Sequence, residues 1–291
     1  GKNYWPVLGV GATFEEIPTP DGDYTRAFLD AGQNPPEGVI VTYNLQEYPE
    51  QCAELTFLDT KGSAVRRLEV SGKSGMNCIV WDMRHEAARE APGDDIENLI
   101  AGPILKGPLA TPGTYTVRLN IGGKSQTQRF QILADPRVEA TDEELSEQLS
   151  LQLRIRDKLS ETHDSINSLR QVRRQIRAWQ KRGKVFGLVL SESGDTIIRK
   201  LSNIEDRLIP TWSTSERGQM GEPLPKLVNA LATLTEVVAS ADAIPTRNSY
   251  EVFKLLSIRI AKQTNALTNI FNEDVPAFVE QIHELGDPTI E

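Results

Sequence analysis

The spacing of apolar residues divides the chain into two parts of different character. Up to about residue 136, short apolar runs alternate with turns that contain Gly and Pro, a pattern typical of β-strands. Beyond that point, apolar residues recur three, four or seven positions apart, as in helices that bury one face. Because Pro136 restricts Asp135 to extended backbone angles, we expect a short and fairly stiff linker at the boundary.

The segment 36–134 carries the strand signals. In one run, Ala53, Leu55 and Phe57 alternate with polar residues, which places them on one face of a strand. Short strands separated by turns at this density indicate an antiparallel β-sandwich. The strands are predicted at 39–45, 53–58, 64–70, 77–82, 114–120 and 126–133.

Residues 1–35 are expected to form an irregular N-terminal arm. Prolines rule out a long helix there, because proline lacks a backbone N–H and clashes with the preceding helical turn. Apolar stretches at 4–8 and 28–29 indicate that the arm lies against a folded surface. The prolines concerned are Pro6, Pro18, Pro20, Pro35 and Pro36.

The segment 138–291 is predicted to form an antiparallel helical bundle, so the fold class is α+β. Thr141 followed by Glu144 matches a capping box, and the first helix should run from about 142 to 182. Further helices are expected at about 194–209, 224–241 and 247–285, the last kinked or restarted at Pro276. The buried stripe of the first helix is predicted to contain Ile155, Leu159, Ile166, Leu169, Val172, Ile176 and Trp179.

Composition limits the classes of function. A length of 291 residues is typical of about two domains, and 38% hydrophobic with 25% charged residues is typical of a folded globular chain. No apolar run approaches the roughly 20 residues of a membrane-spanning helix. The net charge of −9 disfavours nucleic acid as a partner.

Several strand sequences, taken in order, resemble a known arrangement. The segments 55–68, 75–82 and 112–119 resemble the Ig-like domain of flagellar hook-capping proteins. With the Tyr43-Asn44-Leu45 strand end before them, and Asp135-Pro136-Arg137 and a long helix after them, the whole is similar to the C-terminal region of large secreted bacterial proteins. Those proteins carry an N-terminal sortilin-like or sialidase-like β-propeller built from Asp-box repeats.

The resemblance implies an Ig-like sandwich with an accessory role. This chain contains no Asp-box repeat, so the propeller would lie outside it, and the resemblance carries over no catalytic residue. We therefore expect a non-catalytic structural or interaction module, extracellular or periplasmic, with its export signal outside this sequence. Its expected partner is the propeller of the same full-length protein, and a separate protein partner or self-association stays open. The alternatives are an accessory part of a glycoside-hydrolase-like enzyme and a carbohydrate-binding sandwich.

Several residues are candidate sites. Trp81 with Asp82 offers a sugar platform, although its alternation with Ile79 favours the strand core. Cys52 and Cys78 can form a disulfide if their strands are neighbours, and free thiols are favoured. Carboxylates between Arg84 and Lys106 lack calcium-loop spacing, which favours a solvated loop. The carboxylates concerned are Glu86, Glu90, Asp94, Asp95 and Glu97.

No catalytic chemistry is indicated by the remaining residues. His85, His163 and His283 lie far apart in sequence, and no nucleophile–base signature accompanies them. We expect no catalytic residue, no cofactor and no metal site. A basic run is the one candidate interaction patch, with a solvated helix face as the alternative. It comprises Arg170, Arg173, Arg174, Arg177, Lys181 and Arg182.

Overall fold

A computed structural model describes most of the chain. It covers residues 3–7, 10–18, 24–28, 36–46, 53–70, 73–90, 106–185, 191–209 and 226–284, with backbone alone for the three N-terminal segments and for 183–185 and 191. Its strands are β1 (Asn3–Val7), β2 (Val10–Pro18), β3 (Tyr24–Phe28), β4 (Val39–Leu45), β5 (Ala53–Leu58), β6 (Ala64–Val70), β7 (Gly75–Trp81), β8 (Gly113–Ile121) and β9 (Lys124–Ile132). Its α-helices are α1 (Asp142–Val185), α2 (Ser191–Leu208), α3 (Leu227–Ala239), α4 (Arg247–Asn269) and α5 (Val275–Glu284).

The fold is mixed α+β, as the apolar pattern predicted, and it divides into two compact units. Unit 1 comprises Gly1–Asn44 and Met76–Asp82, and unit 2 comprises Leu45–Gly75 and Met83–Glu291. Unit 2 therefore holds a β-sheet together with all of the described helices. The three-part division expected from the sequence, at 1–35, 36–134 and 138–291, stays a prediction.

The N-terminal segment corrects one expectation, because it contains regular strands. β1, β2 and β3 form an antiparallel three-stranded sheet in that order, in place of an irregular arm. Pro6 lies in β1, an edge strand, and Pro18 is the last residue of β2. Edge strands and strand ends tolerate proline, since they need not donate every ladder hydrogen bond. The prolines thus exclude a helix without excluding a sheet.

Trp81 is the last residue of β7, which pairs with β4. Only 1% of Trp81 is exposed, which confirms the buried position predicted from its alternation with Ile79. Gly38 precedes β4 with a φ of 133°, and a Cβ there would lie 2.2 Å from the Trp81 carbonyl oxygen. Glycine is the residue that this close approach and this backbone angle permit.

Unit 2 contains a four-stranded antiparallel sheet in the order β6–β5–β8–β9. Leu55 of β5 pairs with Leu68 of β6 on one side and with Leu119 of β8 on the other. Phe130 of β9 packs its ring against Tyr115 of β8. The bounds of all four strands agree closely with those predicted from the sequence.

The helices begin and end where local chemistry favours it. The capping box is confirmed, because the Thr141 N–H donates to Glu144 Oε2 at 2.9 Å and the Glu144 N–H donates to Thr141 Oγ1 at 3.2 Å. The predicted last helix is divided by a π-helical turn, Ile270–Asp274, after which α5 begins. Pro276, which has no N–H to donate, is the second residue of α5 and directly follows this irregular turn.

Helix α1 is 44 residues long and contacts α2, α3 and α4. Its predicted stripe is confirmed, because most of its members are buried, while Val172 and Trp179 are partly buried against the same core. Each fully buried leucine or isoleucine contributes roughly 1.5–3 kcal/mol. The buried members are Ile155, Leu159, Ile166, Leu169 and Ile176.

A connecting segment, residues 84–90, joins the four-stranded sheet to α1. On the sheet side the Glu86 N–H donates to the Val65 carbonyl at 3.0 Å, and the Glu86 carboxylate accepts the Arg67 N–H at 2.7 Å. Both bonds reach β6, so the segment continues the hydrogen bonding of that edge of the sheet.

On the helix side, α1 holds the connecting segment through Arg89. The Arg89 N–H donates to Ser160 Oγ at 3.1 Å, and His163 Nδ1 donates to the Arg89 carbonyl at 2.6 Å. The Arg89 guanidinium pairs with Asp164 at 2.6 Å. These bonds fix the segment to one side of the helix.

His85 lies where the connecting segment crosses residues 106–110. The backbone N–H of His85 donates to the Pro108 carbonyl at 2.8 Å. A Cβ on Gly107 would lie 1.8 Å from the His85 carbonyl oxygen, so the two backbones pass very close to each other. Burial, together with the nearby Arg156 cation, lowers the pKa of His85 from 6.5 to about 4. The imidazole is therefore neutral at physiological pH.

We predict that protonation of His85 destabilises the fold in mild acid. Since the pKa is lower in the folded than in the unfolded chain, the unfolded chain takes up the proton first. The contribution of the neutral ring is complete above a pH of 6.5 and is lost as the pH falls toward about 4. Urea midpoints measured from neutral to mildly acidic pH should fall more steeply for the natural chain than for His85→Gln. Parallel curves for the two proteins would contradict this prediction.

Candidate functional site

The predicted basic patch is partly a structural contact. Arg170 Nε donates to Glu205 Oε1 at 2.6 Å, and Arg173 Nη1 donates to Glu205 Oε2 at 2.5 Å. Glu205 belongs to α2, and 4% of its side chain is exposed. Two of the patch's cations thus neutralise a buried carboxylate and hold α2 against α1.

The other cations of the patch lie on the surface of α1. Arg174, Arg177, Lys181 and Arg182 are exposed. The Arg182 guanidinium lies over the Trp179 ring at 5.2 Å from its centroid. The surface left for an acidic partner is therefore smaller than the sequence predicted.

We predict that Glu205→Gln destabilises the chain by about 2–4 kcal/mol, because it removes the buried negative charge that two partly buried guanidinium groups contact. Urea unfolding followed by circular dichroism measures the change. Glu280→Gln, at an exposed position of α5, is the matched control and should change stability by less than about 0.5 kcal/mol. Equal stability of the two variants would show that the buried carboxylate is not required.

Among the described residues, the remaining sequence candidates do not come together as a site. A sugar platform needs an exposed ring, and Trp81 is buried. Glu86 is bonded to Arg66 and Arg67, and Glu90 is exposed. Cys78 is an exposed free thiol. The candidates that lie outside the described residues are Cys52, Asp94, Asp95 and Glu97.

The three histidines are also separate. His163 is buried against the connecting segment, His85 lies where that segment crosses 106–110, and His283 is exposed in the last turn of α5. Within the described ranges, no group of three or more His, Cys, Asp or Glu side chains is placed to hold a metal ion. Nor does any helix in those ranges combine the length and apolar composition needed to cross a bilayer.

A groove that the sequence did not reveal lies within unit 2. Its volume is about 510 Å³, within the range of roughly 300–1,000 Å³ typical of ligand sites. One wall is formed by residues 106–112 and 132–135, and the other by α1 and α3. Leu109 and Leu133 line it with 48% and 80% of their surface exposed, so apolar surface faces water here.

Two buried glutamines one turn apart on α1 line this groove. Gln148 is satisfied, since its Nε2 donates to the carbonyls of Val238 at 2.7 Å and Ala241 at 2.5 Å, where α3 ends. Gln152 is 6% exposed, and its carboxamide borders the groove, where its polar atoms stay within reach of solvent. Water can therefore satisfy this amide without a partner in the fold.

A sequence signal for these two residues exists. Gln148 lies seven positions before Ile155, and Gln152 lies seven positions before Leu159, so both continue the buried stripe toward the start of α1. Polar side chains on the apolar stripe of a helix are expected to be buried, and buried polar groups need partners. The sequence alone does not indicate that loops distant along the chain line the same groove.

We predict that the same substitution affects the two glutamines differently. Gln148→Leu should lower stability by about 1–2 kcal/mol, because it removes the two bonds to the end of α3. Gln152→Leu is the matched control and should change stability by less than about 0.5 kcal/mol, since its carboxamide reaches solvent at the groove. Thermal and urea unfolding of both variants measure these changes. Equal losses in the two variants would show that the bonds to the end of α3 do not account for the effect at position 148.

No protein-family model matches the chain, and the curated proteins gave no match.

Proposed function

We propose that the chain is a non-catalytic interaction module of a larger secreted protein that also carries a β-propeller. The observation that carries the proposal is the groove of about 510 Å³, where Leu109 and Leu133 present apolar surface to water. Exposed apolar surface in a concave site is typical of a surface that a partner covers. In this role the module binds a partner, the propeller of the same protein or another copy of itself.

One contact supports the Ig-like part of the proposal. The Tyr115 hydroxyl, near the start of β8, donates to the Thr111 carbonyl four residues upstream at 2.8 Å. A tyrosine that bonds back to the preceding corner is characteristic of Ig-like sandwiches. Together with the antiparallel order β6–β5–β8–β9, it favours an Ig-like sandwich over other all-β arrangements.

The helical part of the proposal is an antiparallel bundle organised by α1. Helices α2, α3 and α4 each contact α1, and the buried apolar residues of the helices form one cluster. A bundle of this kind offers a rigid support for a binding surface. The buried position of Trp81 counts against the carbohydrate-binding alternative, which needs an exposed ring.

The mass and compartment of the natural protein test this proposal. An antibody raised against this chain should detect, in source cells, a band far above 32.3 kDa in the exported fraction. Antibody pre-adsorbed with the purified chain is the control and should detect nothing. A band near 32.3 kDa confined to the cytoplasm would overturn the proposal, since no propeller would then accompany the module.

A further inference from the structure

Helix α4 buries one face and exposes apolar residues on another. The buried face packs on α1, α2 and α3, and its members recur at alternating steps of four and three residues. Outside that face, Val252, Leu255 and Ile258 are 43%, 48% and 58% exposed. The members of the buried face are Ser249, Phe253, Leu256, Ile260, Gln263 and Leu267.

The three exposed residues form one continuous row, which we call the α4 stripe. They are spaced three residues apart, so their side chains are neighbours along the helix surface. Single exposed apolar side chains are ordinary on a folded protein, whereas a contiguous apolar surface is typical of a site that a partner covers. The α4 stripe does not line the groove beside α1, so it is a separate surface.

Opposite charges flank the centre of the α4 stripe. Glu251 lies four residues before Leu255 and Arg259 lies four residues after it, and both side chains are exposed. Residues four apart on a helix share a face, so each charge lies one turn from Leu255 on the side of the stripe. The stripe therefore has an acidic end and a basic end at equal distances from its middle.

This arrangement is complementary to a second copy of itself. In an antiparallel pair with a two-fold axis at Leu255, a residue before the centre lies level with the residue equally far after it on the second copy. Glu251 then meets Arg259 of the second copy, Val252 meets Ile258, and the symmetry repeats both contacts. A parallel pair would place each charge beside its own equivalent, where like charges repel.

The ion pair that Glu251 makes within its own helix is compatible with this contact. Arg247 Nε donates to Glu251 Oε1 at 2.8 Å, and the two side chains are 91% and 60% exposed. A carboxylate accepts up to about four hydrogen bonds, so Glu251 can accept a second guanidinium. Because the stripe is short, the interface should be smaller than the standard size of roughly 1,600 Å², which makes association weak and dependent on concentration.

We propose that two copies of this chain associate by antiparallel packing of α4, with Leu255 at the two-fold axis and Glu251 paired with Arg259. The inference rests on the proposed function as an interaction module. It names a second copy of the chain as a partner and the α4 stripe as the contact.

Sedimentation equilibrium of the full chain, over a wide range of concentration, measures the association. The mass should rise from 32.3 kDa toward twice that value as the concentration increases. Leu255→Asp should abolish the rise, because it places two carboxylates together at the two-fold axis. Leu133→Asp makes the same change in the groove, at a side chain that is 80% exposed, and should leave the dissociation constant unchanged within about twofold.

Charge reversal tests the pairing directly. Glu251→Arg and Arg259→Glu should each weaken association about tenfold, since each variant brings like charges together twice. The two variants mixed in equal amounts should associate with each other about as tightly as the natural chain, because every pair then joins an arginine to a glutamate. Recovery on mixing requires a contact between copies, and circular dichroism of each variant verifies its fold.

The contrary outcomes separate this inference from the proposed function. A mass of 32.3 kDa at every concentration would overturn the inference and leave the α4 stripe to a different partner. Association that resists Leu255→Asp, or that is lost in Leu133→Asp, would place the contact elsewhere. Failure of the mixed variants to associate would overturn the antiparallel pairing. In each case the mass and compartment of the natural protein decide the proposed function independently.

Discussion

The structure of unit 2 depends on one constraint, which is that a helix of 44 residues must bury a continuous apolar face along its length. None of the described neighbours is long enough to cover it alone, so different elements cover successive parts. The first turns face the groove and α3, the middle receives the connecting segment at His163, and the last third packs on α2 through the pairs to Glu205. Each neighbouring element therefore packs against a different part of α1.

Polar groups on this helix are satisfied in two ways. Gln148, His163 and the arginines that meet Glu205 are paired within the fold, so each stabilises a particular neighbour. Gln152 lies one turn from Gln148 and borders the groove, where its carboxamide reaches solvent. Because two arginines of the basic run are used to hold α2, we place the proposed binding surface at the groove beside the N-terminal third of α1 and not at the basic C-terminal end of the helix.

The sequence predicted features that depend on near neighbours along the chain. The capping box at Thr141, the stripe of α1 and the four strands of the unit 2 sheet each follow from spacing within one element. The N-terminal sheet was missed because the prolines of that segment led to an expectation of irregular structure. Pro6 excludes a helix, but an edge strand tolerates a proline. The role of Glu205 and the groove were also missed, because they bring together residues that are distant along the chain, such as Arg170 and Glu205. Sequence periodicity shows that a face is buried and does not show what covers it.

The connecting segment has a consequence for how its sequence can vary. Part of its hold on α1 is through main-chain carbonyls, since Arg156 donates to that of Glu86, His163 to that of Arg89 and Asn167 to that of Glu90. Every residue type carries the same carbonyl, so these bonds restrict the donor on the helix and not the side chain on the segment. The side chains of Glu86 and Arg89 are restricted by their own partners, Arg67 and Asp164. Among homologues, the exposed side chain at position 90 should therefore vary more freely than the helix position 167 that holds its carbonyl.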